Sequence, residues 1–300
     1  MRCLTLWGLL GVLAACEARI NGAPADSATP DTPPPGDAVA PPPDGEAFGP
    51  WSTAATVSVA ESAAVEDDVT LSSNTLEMVF AIDPLDGNGK DLYYSSRPSP
   101  TGAWSEALKL PFNSTTTSDE TPRMSADDKT LYFASGRANN GTLDIWKATR
   151  AVTGTASWGT PEPVDSVNSK TQTEKWFAPC GTDHYLMIVT RNGLGDLVEG
   201  TLGGGAATPV SELNSPQNET GVFVTQDCLT AFFASARVTP TMIYTAHRAS
   251  LTAPWQDLTQ VTDFLATGGN QEDPWLSPDG HTFAFASDAA GSKDVYLSTR

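Results

Sequence analysis

Glu272-Asp273-Pro274-Trp275-Leu276-Ser277-Pro278-Asp279-Gly280, then Phe283-Ala284-Phe285-Ala286-Ser287, then Asp294-Val295-Tyr296, is the stretch that decides the fold of this 300-residue chain. Each segment is short and rich in aromatic or β-branched residues, and turn-forming Ser, Pro, Asp and Gly separate one from the next, so the stretch reads as three successive strands. The pattern recurs upstream. The second strand returns as Val79-Phe80-Ala81, Tyr132-Phe133-Ala134-Ser135, Met187-Ile188-Val189-Thr190 and Phe232-Phe233-Ala234-Ser235. Aligning Phe80, Phe133, Ile188, Phe233 and Phe285 gives a period of about 50 residues, the length of one propeller blade.

The third strand repeats as Asp91-Leu92-Tyr93, Asp144-Ile145-Trp146, Asp196-Leu197-Val198 and Met242-Ile243-Tyr244. A fourth opens on Trp at 104–110, 158–164 and 255–261, and loses the Trp at 207–213. One further copy, 51–57, stands ahead of the first blade, whereas nothing follows the third strand of the last. The expectation is an all-β fold: a five-bladed β-propeller of four-stranded blades over residues 48–300, with the N-terminal Trp51 strand closing the last blade. Closure removes the unpaired edges and apolar faces that an isolated blade exposes.

Ahead of the repeats, the apolar run 4–15 is too short to span a bilayer and has the length of a signal-peptide core. Leu13-Ala14-Ala15-Cys16 resembles the lipobox of bacterial lipoproteins, which implies a leader over 1–15, a lipidated Cys16 and an exported protein of the outer membrane, periplasmic or surface-facing. Residues 16–47 are dominated by Pro, Ala, Gly and Asp, a composition with little to bury, and read as a disordered tether. Acidic residues outnumber basic ones 36 to 17, for a formal charge of −19. That excludes nucleic acid, which needs clustered Lys and Arg, and leaves membrane attachment to the lipid anchor alone.

Ser277-Pro278-Asp279-Gly280 with Phe283-Ala284-Phe285-Ala286-Ser287 resembles the Pro-Asp variant of the WD-like repeat in TolB-like and OmpA-associated bacterial lipoproteins. Val167-Asn168-Ser169 and Leu213-Asn214-Ser215 are similar to the same family. Blade two keeps only Ser125-Ala126-Asp127-Asp128, and blades three and four put cysteines in this turn. The resemblance implies a non-enzymatic scaffold that binds an envelope protein or peptide; the further expectation is a monomer with no cofactor unless Ca²⁺ occupies one of the acidic sites below.

Candidate sites follow from chemistry. Asp67, Glu120, Glu174, Glu219 and Glu272 each stand at the start of a first strand; five carboxylates ringing one channel mouth would hold a cation, or else tie blade to blade through backbone N–H groups. Asp83, Asp86, Asn88 and Asp91 lie in a Gly-rich loop with calcium-like oxygen spacing, but without an EF-hand's distal Glu. Cys180 and Cys228 are an even pair in an exported domain, either disulfide-bonded or two buried thiols. His184, His247 and His281 fall at unrelated repeat positions and form no metal-ligand spacing. Trp176 and Trp275 lie on first strands and read as core. The alternative function is a polysaccharide-binding or glycoside-hydrolysing five-bladed propeller, whose acids would have to sit in unlike environments.

Overall fold

The computed structural model describes residues 49–138 and 141–300. Cys16, the leader and the tether lie outside the described residues. The first strand, β1 (Ala55–Thr56), precedes four complete blades. Blade one is β2 (Val65–Leu71), β3 (Glu77–Asp83), β4 (Asp91–Ser96) and β5 (Leu108–Lys109). Blade two is β6 (Asp119–Met124), β7 (Thr130–Ser135), β8 (Asp144–Thr149) and β9 (Glu162–Pro163). Blade three comprises β10 (Thr173–Cys180), β11 (His184–Arg191), β12 (Leu194–Thr201) and β13 (Thr208–Pro209). Blade four comprises β14 (Glu219–Val224), β15 (Thr230–Ser235), β16 (Met242–His247) and β17 (Gln256–Gln260). Blade five contributes β18 (Gln271–Leu276), β19 (Thr282–Ser287) and β20 (Asp294–Thr299), and β1 completes its sheet in the order β1-β20-β19-β18. Ala55 pairs with Leu297 and Thr56 with Tyr296, antiparallel. The ring is closed as the repeats require.

Packing explains the repeat. Each junction between neighbouring blades carries its own apolar cluster: Val79, Leu92 and Phe133 join blades one and two, while Ile188, Leu197 and Phe233 join three and four. Phe80, Phe133, Phe233 and Phe285 are fully buried, each contributing roughly 1.5–3 kcal/mol of transfer free energy. The outer Trp residues pair with an arginine just beyond the third strand. Arg97 lies 4.4 Å over Trp104, Arg150 4.2 Å over Trp158 and Arg248 4.4 Å over Trp255. Each of these arginines also donates from Nε to a carbonyl in its blade's first turn, at Thr75, Asp128 and Cys228. Blade three has Leu202 and Ala207 at these two positions and lacks both partners.

All five first strands carry the same β-bulge. The register slips between Asp67 and Thr70, Glu120 and Arg123, Lys175 and Ala178, Thr220 and Phe223, and Glu272 and Trp275. At the bulge Asp68, Thr121, Trp176, Gly221 and Asp273 all adopt positive φ, between 48° and 56°. Only blade four uses the residue for which that conformation is free of steric cost.

Candidate functional site

The bulges set which side chains reach the axis, and they correct the predicted acidic ring. Asp67, Glu120 and Glu272 occupy one register, opposite Ala81, Ala134 and Ala286. In blades three and four that register holds Lys175 and Thr220. Glu174 and Glu219 stand one residue earlier, alongside Glu66, Asp119 and Gln271. Side chains alternate along a strand, so a slip of one residue turns them to the other face. In blade three the turn between the first two strands is one residue shorter, and Met187, not Ile188, takes the position of Phe80, facing Val198 as Phe80 faces Tyr93. In blade four Phe233 keeps that position, facing Tyr244, but the acid stands one residue farther ahead of it.

The displaced acids tie the blades to the connections that precede them. Glu174 accepts from the Ser169 amide at 3.3 Å, and Asp119 from the Ser114 amide at 2.5 Å and from Arg137 at 2.7 Å. Glu219 accepts from the Ser215 hydroxyl at 2.5 Å and the Ser235 hydroxyl at 2.9 Å. Burial pushes the Glu174 carboxyl up to about 7.

At the axis the acids meet lysines that the sequence did not place there. Lys90 Nζ lies 2.6 and 2.7 Å from the Asp67 oxygens and 2.9 Å from Asp68 Oδ2. Lys293 bonds Glu272 at 2.6 Å and approaches Asp67 at 3.6 Å, while Lys175 bonds Glu120 at 3.0 Å. Both Lys90 and Lys293 come from connections between second and third strands. Trp176 crosses the axis from blade three, its indole N–H donating to Asp68 at 3.0 Å and Asp273 at 2.8 Å. Acceptor atoms of Asp67, Asp68 and Asp273 lie within 4.8 Å of one another. Burial and the Asp68 charge raise Asp273 to about 7, and the same two causes raise Asp67. Burial opposes ionisation of Asp68 as well, but Lys90 overrides it and holds that carboxyl well below the usual range. The arrangement can bind a cation, and the Lys90 ammonium already sits among the oxygens that would do so.

Below this layer the first strands present Thr70, Arg123, Ala178, Phe223 and Trp275 in a second shared register. Arg123 reaches across the axis to the Val222 carbonyl at 3.1 Å, and its guanidinium lies 5.2 Å over the Phe223 ring. Beneath it opens a cavity of about 560 Å³, to which all five blades contribute.

The remaining sequence candidates are placed as follows. In the Gly-rich loop, Asp83 and Asp86 accept from the amides of Leu85 and Asn88, and Asp91 pairs with Lys109 at 2.6 Å. Asp86, Asn88, Asp91 and Lys109 share a groove, but no three-acid cluster forms there among the described residues. Cys180 and Cys228 form a disulfide between blades three and four, with Cα atoms 5.3 Å apart. Trp176 was the residue least legible in sequence: its positive φ and its bond across the axis leave no signal in a hydrophobic pattern.

Solved structures of more than one kind of protein resemble this fold at low identity. A TolB of Agrobacterium tumefaciens superposes with a TM-score of 0.52 at 15% identity, over 81% of this chain and 82% of that one. A thermostable family-43 glycoside hydrolase gives 0.56 at 12% identity, over 82% and 91%. The α-L-arabinofuranosidase of Podospora anserina, solved with cellotriose, gives 0.55 at 11% identity, over 83% and 96%. No protein-family model matches the sequence. No curated protein matches it either. These likenesses show the five-bladed fold.

Proposed function

We propose that this chain is an exported, lipid-anchored propeller of the bacterial envelope that binds a protein or peptide without turning it over. The observation that carries the reading is the placement of exposed apolar side chains. Leu85, Leu194, Val238 and Leu265 are solvent-exposed, and each lies on a different blade at the mouth from which the first strands start. Exposed apolar residues on varied connections, mounted on a rigid ring, suit recognition of another macromolecule. Asp67 and Glu120 at that mouth are buried, Glu272 is half-buried, and all three pair with lysines, which favours a structural role for them. The Cys180–Cys228 disulfide accords with an oxidising compartment, and the lipobox resemblance at Cys16 supplies the anchor. Relatives of the repeat motif, as the sequence resemblance implies, are TolB-like and OmpA-associated lipoproteins.

The test is affinity capture from envelope extracts with the full chain as bait. One partner should be retained by the native chain and lost when Leu85, Val238 and Leu265 are replaced together by Ser. Retention unchanged by the triple replacement would count against this face.

A second reading, glycoside hydrolysis, is favoured by one observation: Asp68 and Asp273 are unlike carboxyls, one held ionised and the other raised to about 7, the division of labour an acid/base pair needs. Hydrolysis of any member of a polysaccharide panel, abolished by Asp68→Asn or Asp273→Asn, would establish it.

A further inference from the structure

The cavity below Arg123 is the feature that neither the repeat architecture nor the proposed docking face absorbs. Positions required by the fold look alike in most blades: the buried Phe and the outer Trp with its Arg recur in four of five, blade three being the exception. The ring Thr70, Arg123, Ala178, Phe223 and Trp275 differs at every blade. Such a ring makes an asymmetric floor, bulky where blades four and five meet and open beside Ala178. Next to it lie the apolar Leu71, Met124, Val224 and Leu276, and the turns beyond them bring polar groups such as Ser125, Asp128, Gln226 and Asp227.

Arg123 gives the floor its chemistry. It is 5% exposed, and no carboxylate lies within ion-pair distance of it among the described residues. Its single hydrogen bond goes from Nη2 to a backbone carbonyl, while Nε and Nη1 are buried without a partner. Burial lowers its pKa to about 10, so it remains a cation at neutral pH. A buried guanidinium with two unmatched donors is costly, and a native structure needs a reason for it.

We propose that the cavity binds a small molecule with an apolar body and one carboxylate, the body against Phe223 and Trp275 and the carboxylate on Arg123. The volume falls within the range of small-molecule sites, and at the floor an apolar surface meets one charged group, Arg123, the usual composition of such sites; Asp128, Asp227, Asp279, His281 and Arg300 line the cavity beyond the first strands. A guanidinium recognises a planar carboxylate through paired N–H donors. Closing the bond requires Arg123 to tilt toward the cavity whose wall it already forms. A saccharide is disfavoured at the floor, because its hydroxyls would face Phe223, Trp275, Leu71 and Val224 and lose their hydration. This site is at the opposite mouth from the proposed docking face and does not depend on it.

The test titrates decanoate and 1-decanol into the full chain by calorimetry. Decanoate should bind at a single site at least about tenfold more tightly than 1-decanol. Arg123→Met should remove that preference while leaving 1-decanol binding unchanged. Ala126→Trp, a replacement at an exposed rim position, should weaken both ligands, and it carries the test if Arg123→Met fails to fold. Equal affinity for the two ligands, decanoate binding unaltered by these variants, or no binding at all would overturn the proposal.

Discussion

The Arg300 guanidinium lies 4.3 Å from the centroid of the Trp51 ring, joining the two ends of the ring as Arg97, Arg150 and Arg248 clamp the Trp of their own blades. Trp51 also contacts Phe264 at 5.7 Å and Phe283 at 5.8 Å, and the Ser52 amide donates to the Thr299 carbonyl at 2.7 Å. Because β1 makes only two ladder pairs, the side chain supplies much of what holds the seam. Trp51→Ala should therefore destabilise by about 3–5 kcal/mol, the range for deleting a large packed aromatic. Urea denaturation checks it, with Trp51→Phe expected to recover about half of the loss.

The seam is legible in the sequence, since 51–57 copies the fourth-strand pattern that 294–296 lacks after it. The blade count and strand order were legible for the same reason: a core Phe every blade leaves a periodic trace. The axis was not. Which face a first-strand residue takes depends on the bulge, and the bulge is a backbone event at residues as unlike as Asp68, Thr121 and Trp176. A turn one residue shorter in blade three, and an acid one residue farther ahead of Phe233 in blade four, were enough to take Glu174 and Glu219 out of the channel register. The Arg-Trp pairs did leave a signal, an arginine directly after each third strand except in blade three, where both partners are missing together.

Lys90 decides whether the axial acids act as an ion site. Its ammonium touches both Asp67 and Asp68, so added Ca²⁺ has a resident cation to displace. Millimolar CaCl₂ should leave the melting temperature of the native chain unchanged. Lys90→Met should lower stability by about 3–5 kcal/mol, as for removal of one partner from a buried pair, and should acquire a Ca²⁺-dependent rise. A chelator-reversible stabilisation of the native chain by Ca²⁺ would contradict this assignment.

The Cys180–Cys228 bond closes a loop of 48 residues, for which chain-entropy arguments give roughly 4 kcal/mol of stabilisation. It joins the two blades that depart most from the repeat's turn sequence, Cys228 taking the positive-φ position that Gly280 fills in blade five. Reduction, or the Cys180→Ser/Cys228→Ser double replacement, should lower the urea midpoint by a comparable free energy. An unchanged midpoint would mean the loop is already constrained in the unfolded ensemble.

Glu174 should impose a pH dependence of definite sign. Its carboxyl titrates near 4.5 when free of the fold and at about 7 within it, because burial disfavours the charge. Below 4.5 both states hold the proton and the group contributes nothing to the pH dependence. Between 4.5 and 7 the unfolded state ionises first, the native state binds more protons, and stability falls as pH rises. Above 7 the full penalty is present, at most about 3 kcal/mol for a shift of this size. Asp273, raised for the same leading reason, adds a decline in the same direction. Glu174→Gln keeps the acceptor for the Ser169 amide and removes the charge. It should therefore match the native chain at pH 4, exceed it at pH 8, and flatten the slope between them. Urea denaturation at the two pH values measures the difference, and a variant that is less stable at pH 8 would show that Glu174 is held ionised.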